Sequence, residues 1–281
     1  MSSYRFCRTD DIGLLVDALN RCWLPHFPDE PPMTAPAFKR SIRDLQVWCS
    51  SCMVAFSGSD PIGVLIGAKR PSGTLIHRIA VHPDHRRQGH GCHLLTSLSS
   101  KLAILGPPRI IAEVPETLAA AGELFSASGY VQEALLTDYV LQHQDNDVPE
   151  MAGGFVIPVT VDDLAANGFL GEDHPQTCWE HSVETLTARK DDIAGLAVAS
   201  DERIEAYLLY RNGGEIVSLR TFIEDGGARL KQLLSQLRMR SAGTFRFPKV
   251  HPAEISKDVL EMLGFRAVGG HRLYAARAQS D

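Results

Sequence analysis

Arg86, Gly89 and Gly91 sit where an apolar stretch runs into a basic turn and then a helical pattern, within LIHRIAVHPDHRRQGHGCHLL at positions 75–95. Residues of these types at this spacing can cradle a phosphate. The N–H groups that open a helix have no carbonyl partner within it and converge on an anion, and the two glycines let the backbone approach without a Cβ in the way. Two other nucleotide cradles are excluded. A dinucleotide fingerprint requires a third glycine where this chain has Leu94, and a P-loop requires Gly-Lys-Ser/Thr, which the chain lacks.

What remains, Arg86-x-x-Gly89-x-Gly91 after Ile79-Ala80-Val81-His82-Pro83, resembles the acetyl-coenzyme A motif of the GNAT acetyltransferase superfamily, R/Q-x-x-G-x-G/A after a strand ending in AV-x-P. The resemblance implies that the turn formed by Arg86, Arg87, Gln88, Gly89, His90, Gly91 and Cys92 binds the pyrophosphate. It also implies that the strand carrying Ile79, Ala80 and Val81 is splayed from its neighbour, pairs with the pantetheine arm and offers an N–H to the acetyl carbonyl. The expected reaction is direct transfer of an acetyl group from acetyl-CoA, with coenzyme A as product, to a primary amine of a small molecule or peptide.

Such a transfer needs a base for the ammonium, donors for the carbonyl oxyanion and a proton for the departing thiolate. His77 is the candidate base. It stands at even spacing from Ile79 and Val81, so a regular strand would give it their face, and an imidazole pKa near ~6.5 suits neutral pH. The arylalkylamine branch of the family carries a histidine at this motif position. The thiolate partner departs from the pattern. Where the family has L-Y-x-x-x-G-F, this chain has Leu124-Phe125-Ser-Ala-Ser-Gly129-Tyr130, without the hydroxyl. Phe125 is expected to pack against the coenzyme, with the proton coming from water, Tyr139 or no dedicated group. An acceptor site is expected on the loop at 21–30, RCWLPHFPDE, whose aromatic walls and carboxylates Asp29 and Glu30 suit an amine.

Neither histidines nor cysteines make a metal site at this level. His82, His85, His90 and His93 surround the turn, yet the step of three between His90 and His93 gives no clean ligand pair, and protonated histidines beside a pyrophosphate account for them. Cys49-Ser-Ser-Cys52 has ligand-like spacing but no second pair, and it leads into an apolar run, so buried free thiols are expected. No metal is expected.

Stepping the pattern along the first half predicts a mixed α/β unit: a strand at 4–7, a helix capped by Asp10 to about residue 22, a proline-rich loop, a helix at 37–47, and three strands at 52–56, 62–68 and 74–81 joined by hairpin-length turns. The leucines at 94, 95, 98, 102 and 105 make one face of the helix after Gly91, which ends at Gly106-Pro-Pro108. A strand at 109–114 then returns beside the cofactor strand as a parallel crossover, followed by a helix at 117–127 and a strand at 134–141.

The polar stretch 144–153 is the linker candidate. The order then repeats. Strands at 193–199, 203–210 and 215–222, a helix at 228–240, a strand at 244–250, a helix at 256–263 and a strand at 272–278 match the first copy at a period of roughly 135 to 140 residues, which means duplication. The fold class is therefore α/β (α+β): two tandem GNAT-like domains, each a mixed, mostly antiparallel sheet flanked by helices with one parallel crossover. The expected boundaries are 1–143 for a catalytic domain and 154–281 for a degenerate one. Between Phe222 and the second copy's helix stands only Ile-Glu-Asp-Gly-Gly, short and acidic, which repels a pyrophosphate.

A chain of 281 residues accommodates two such cores. With 44% apolar and 22% charged residues, no apolar run near the ~20 residues that span a bilayer, and no apolar h-region after Met1-Ser2-Ser3-Tyr4-Arg5, a soluble cytoplasmic protein is expected, without a membrane partner. A net charge of −6 argues against a general nucleic-acid binder. The sequence leaves the acceptor and the oligomeric state open. It also leaves two rival readings: a silent acetyl-CoA- or CoA-binding sensor or scaffold, suggested by Phe125 and the second copy, and an α/β interaction module whose turn binds nothing.

Overall fold

A computed structural model describes residues 2–142, 155–170, 177–240 and 243–279. The linker candidate at 144–153 lies outside the described residues. The chain forms two compact units, Met1–Glu133 with Arg272–Asp281, and Ala134–His271.

In the first unit β1 (Ser2–Phe6) leads to α1 (Ile12–Cys22) and α2 (Ala35–Leu45). The expected cap Asp10 is not used: Asp11 precedes α1, and its carboxylate accepts from the Arg8 N–H and the Arg5 guanidinium instead of capping the helix. Thr34 caps α2 by accepting from the Ala37 N–H. This helix stops at Leu45 because Gln46 turns left-handed at φ 59°. Val47, expected inside it, bridges to Ala68. β2 (Met53–Ser57), β3 (Asp60–Arg70) and β4 (Gly73–Val81) follow as the antiparallel meander, with β1 paired to β2. α3 (His90–Leu105) crosses to β5 (Arg109–Pro115), which runs parallel to β4, and α4 (Ala119–Ala127) comes next. Leu94, Leu95, Leu98 and Leu102 of α3 bury against Met53, Leu65, Ile76 and Ile110 of the sheet, as the leucine spacing predicts, but Leu105, expected on the same face, is the last residue of the helix and stays exposed.

The closing strands are exchanged relative to the expected ranges. β6 (Val131–Leu141) passes into the second unit from Ala134, where Phe245 faces Leu141 and Phe247 faces Tyr139. In the second unit β7 (Phe155–Val159), α5 (Val161–Ala166) and α6 (Val183–Ala188) precede the meander β8 (Ile193–Ala199), β9 (Ile204–Arg211) and β10 (Glu215–Thr221). α7 (Ala228–Arg240), β11 (Phe245–Val250), parallel to β10, and α8 (Lys257–Met262) complete it. The last strand, β12 (Arg266–Arg277), returns to the first unit from Arg272, beside β5. The physical reason is register: local apolar patterning marks a strand but does not name its neighbour. Leu196, Leu208, Ile216, Leu230, Leu234, Phe245, Phe247 and Phe265 form the core on the α7 side of the second unit.

Candidate active site

The parallel ladder between β4 and β5 holds Thr74 against Ile110 and Leu75 against Ile111, while β4 continues to Val81 and β5 to Pro115. Among the described residues the ladder carries no pair past Leu75. Backbone groups along that side of 76–81 then need another partner, and an extended arm can supply one by strand-like pairing. Ile79, Ala80 and Val81 lie on this stretch, with Ala80 buried and the other two half-buried.

At its end Gly89 adopts φ 84° and forms the N-cap of α3, with no side chain capping the helix. The first intrahelical bond is His93 N–H to Gly89 O at 3.0 Å, so the amides of His90, Gly91 and Cys92 are left outside the ladder, as at any helix start. Arg87 is also left-handed, at φ 61°. Left-handed residues within such a turn fold its amides into a concave nest for an anion. Gly91 has a second duty that the motif does not reveal. A Cβ there would stand 3.1 Å from both Cδ atoms of Leu124, so glycine seats α3 against α4 as well as clearing the cradle.

The basic side chains divide their roles. His26 donates from Nε2 to the Val81 carbonyl at 2.9 Å and accepts at Nδ1 from the Arg86 guanidinium at 2.6 Å. Burial, then Arg86 and His82, hold its pKa below the usual imidazole range, consistent with a neutral ring. This bond ties the 21–30 loop to the motif. Arg87 is nearly fully exposed and reaches Glu123 at 4.0 Å. Gln88 reaches the Asp84 carbonyl at 3.5 Å.

His90 corrects an expectation. Its ring turns inward, with Nδ1 2.6 Å from the Tyr4 hydroxyl, and is buried. Burial first, and His85 and His93 second, push its pKa down, so it is held neutral rather than as an imidazolium beside a pyrophosphate. The His93 ring lies against Tyr4 in a tilted pair with centroids 3.8 Å apart, and His82 accepts from the Asp84 N–H. Cys92 is the exposed cysteine; Cys7, Cys22, Cys49, Cys52 and Cys178 are buried free thiols. Burial pushes the Cys22 thiol up to about 11 and Cys7 up to about 12.

His77 is the extra residue of a β-bulge, since Gly67 faces Ile76 and Ile66 faces Arg78 across β3. Ile76 and Ile79, three residues apart, both pack into the α3-side core. In a regular strand they would point to opposite faces. The bulge therefore leaves both His77 and Arg78 off that face. The expectation that His77 shares the face of Ile79 is overturned, and His77 stands instead beside Arg78. The Arg78 guanidinium lies 4.8 Å from the Trp23 ring centroid and 3.5 Å from Glu30 Oε2. Trp23 stacks on Phe27 and donates from Nε1 to Glu30 Oε2 at 3.1 Å. The aromatic wall expected to receive a cation is thus faced by the protein's own arginine. Nothing in the sequence pattern singled out Arg78 or His26, because a strand arginine and a loop histidine carry no spacing signal.

Phe125 is buried, stacked on Tyr274 at 5.8 Å and edge-on to Tyr130 at 5.2 Å. Tyr139, considered as a proton source, is buried in the core of the second unit.

In the second unit the turn before α7 differs in kind. Asp225 accepts from the Gly227 N–H at 2.9 Å through Oδ1 and from the Arg229 N–H at 2.8 Å through Oδ2. A carboxylate of the chain itself occupies the amides that a phosphate would use. A separate titratable cluster in this unit was not foreseen: buried His181 pairs with Glu254 at 3.5 Å and with Cys178, while Glu254 Oε1 has no partner among the described residues. Cys178 and His181 are three residues apart, but Glu254 lies 73 residues beyond His181, too far for any local signal.

The sequence model of the Acetyltransferase (GNAT) family matches residues 14–130. A search of curated proteins gives no significant match. Among solved structures the chain is similar to a tandem GNAT protein from the clavulanic acid biosynthesis pathway, at 16% identity and a TM-score of 0.68 over 100% of both chains. It is also similar to a GCN5-related N-acetyltransferase from Sphaerobacter thermophilus, at 14% identity and a TM-score of 0.68 over 99% of this chain and 96% of that one. A further GCN5-related N-acetyltransferase, from Anabaena variabilis, matches at 11% identity and a TM-score of 0.65 over 99% and 73%. At these identities the structures speak for the fold, and the family match speaks for the first half. Residues 14–130 form a domain of the GNAT acetyltransferase family, in a chain that has the tandem GNAT fold from end to end.

Proposed function

We propose that the protein is an acetyl-CoA-dependent N-acetyltransferase that moves an acetyl group directly to a primary amine of a small molecule or peptide. The first unit is the catalytic one and the second a degenerate partner. The observation that carries this reading is the contrast between two equivalent helix starts. The start of α3 has no side-chain cap, whereas Asp225 fills the start of α7.

In the first unit the amides of 88–92 and the guanidinium groups of Arg86 and Arg87 would hold a pyrophosphate, and the β4 edge at Ile79, Ala80 and Val81 would pair with a pantetheine arm. Bound acetyl-CoA supplies an activated acetyl thioester. His77 would take the proton from the acceptor ammonium, the β4 backbone would orient the carbonyl, and as the amine's C–N bond forms and the C–S bond breaks the departing thiolate would take its proton from water. Phe125 keeps water from this end of α4 but offers no proton, which favours a second reading, a coenzyme-binding sensor without turnover. Buried free thiols fit a reducing, cytoplasmic setting. Among the described residues no helix is long and apolar enough to cross a membrane.

The test is thiol release from acetyl-CoA across amines, amino acids, aminoglycosides and peptides, beside calorimetric titration with coenzyme A. Release with an acceptor and one coenzyme per chain is expected. Binding without release from any acceptor would establish the sensor reading, and absence of binding would refute both.

A further inference from the structure

Arg78 is 78% buried by side chain, at 22% exposure, and among the described residues its contacts are the Trp23 face at 4.8 Å and Glu30 at 3.5 Å, neither of them a hydrogen bond. Its five N–H donors lie in one plane, and none of its nitrogens is among the fully buried side-chain atoms without a partner, so the donors that Glu30 leaves unused remain accessible from solvent. The guanidinium lies over the Trp23 ring, and that ring is itself held by Phe27 and by the Nε1–H bond to Glu30. The result is an oriented donor fork with its hydrogen bonds unmade. It stands next to His77, on the side of β4 to which the bulge turns both residues.

We propose that Arg78 is an anchor for a carboxylate on the acceptor, so that the amine delivered to His77 belongs to an amino acid or a similar amino carboxylate. This rests on the acetyltransferase reading above. A flat, two-oxygen anion matches the planar fork in a way that a lone charge does not. Glu30 acts as the resident counter-ion: at 3.5 Å it balances the charge of Arg78 without saturating its donors, so an incoming carboxylate has donors to take.

Matched triplets test it: an α-amino acid, its carboxamide and its decarboxylated amine, with aliphatic and aromatic side chains, assayed by thiol release with the full chain. The carboxylate member is expected to show roughly 10- to 100-fold higher kcat/KM than its partners, the range of one charge-assisted, two-pronged contact. Arg78→Lys, which keeps the charge but not the fork, should lose most of that preference through KM. Glu30→Gln keeps an acceptor for the Trp23 N–H and removes the competing charge, so it should lower KM for the carboxylate members alone. Calorimetric titration of the same ligands into coenzyme-free wild type and both variants gives a readout independent of turnover, with coenzyme A affinity reporting on folding. Equal or better rates with the uncharged partners, a preference that survives Arg78→Lys, or a preference for aminoalkyl phosphates would overturn the assignment. If coenzyme binds but no amine is acetylated, the catalytic reading fails. Carboxylate binding that depends on Arg78 would still uphold the anchor in that case, and its absence would refute it.

Discussion

Gly89→Ala separates the cradle from the fold. A Cβ at Gly89 would meet no atom within 4 Å, but the residue holds φ 84°, so the substitution has a conformational cost and no packing cost. Placing an L-residue in the left-handed region costs about 1–2 kcal/mol. For a unit of this size that lowers the melting temperature by roughly 2–8 °C. Coenzyme binding should suffer more, because the new methyl stands at the mouth of the amides of His90, Gly91 and Cys92. Loss of one charge-assisted hydrogen bond, about 1.5–3 kcal/mol, weakens affinity by at least ~10-fold. Gly58→Ala is the matched control. Gly58 has φ 62° and equally open surroundings, and it lies in the β2–β3 turn, so it should show the melting shift without the affinity loss. Gly91 is a poorer probe, since a larger residue there would also strike Leu124. Thermal melts and calorimetry with coenzyme A on the three proteins decide the matter. A Gly89→Ala protein that binds coenzyme A as tightly as wild type, or no worse than Gly58→Ala, refutes the cradle.

His77→Ala should lower the rate at neutral pH by roughly 10²-fold or more, with coenzyme affinity nearly intact, and remove the acid limb of the pH profile; an unchanged limb would pass the proton to Asp29, Glu30 or water. Asp225→Ala should destabilise the second unit by about 1 kcal/mol through loss of the α7 cap, seen in urea melts. Titration of the wild type should give one coenzyme per chain, and a value of two would show that Asp225 does not close the second cradle. Desolvation opposes charge on His181, but Cys178 and Glu254 outweigh it and raise its pKa well above the usual value. Its stabilisation is therefore full below the unfolded imidazole pKa of ~6.5 and is lost as pH rises through the folded value. His181→Gln strands the Glu254 carboxylate and should cost on the order of 3–5 kcal/mol at pH 6, less at alkaline pH; chemical denaturation with the same pH slope in both proteins would contradict this.

Much of the molecule is written in local pattern. Leu94, Leu95, Leu98 and Leu102 of α3 bury where the helical period puts them, while Leu105, on the same expected face, is exposed at the last residue of the helix. The glycine spacing of 86–91 marks a helix start with open amides, and the acidic Glu224-Asp225 marks its opposite. β7, α5 and α6 were not read, although Thr160 and Asp163 form a capping box that can be read. What only the tertiary structure decided depends on residues distant in sequence or on register. Strand neighbours are one case: β6 and β12 each read as the last strand of their own copy, and only pairing with β11 and β5 shows where they close. The bulge is another, because one unpaired residue, invisible in an alternating string, moves His77 away from Ile79 and next to Arg78. The contacts of Arg78 with Trp23 and Glu30, of His26 with Val81, and of His181 with Glu254 join segments 48 to 73 residues apart. Sequence chemistry named the turn that can take a phosphate; long-range packing decided which side chains face the acceptor.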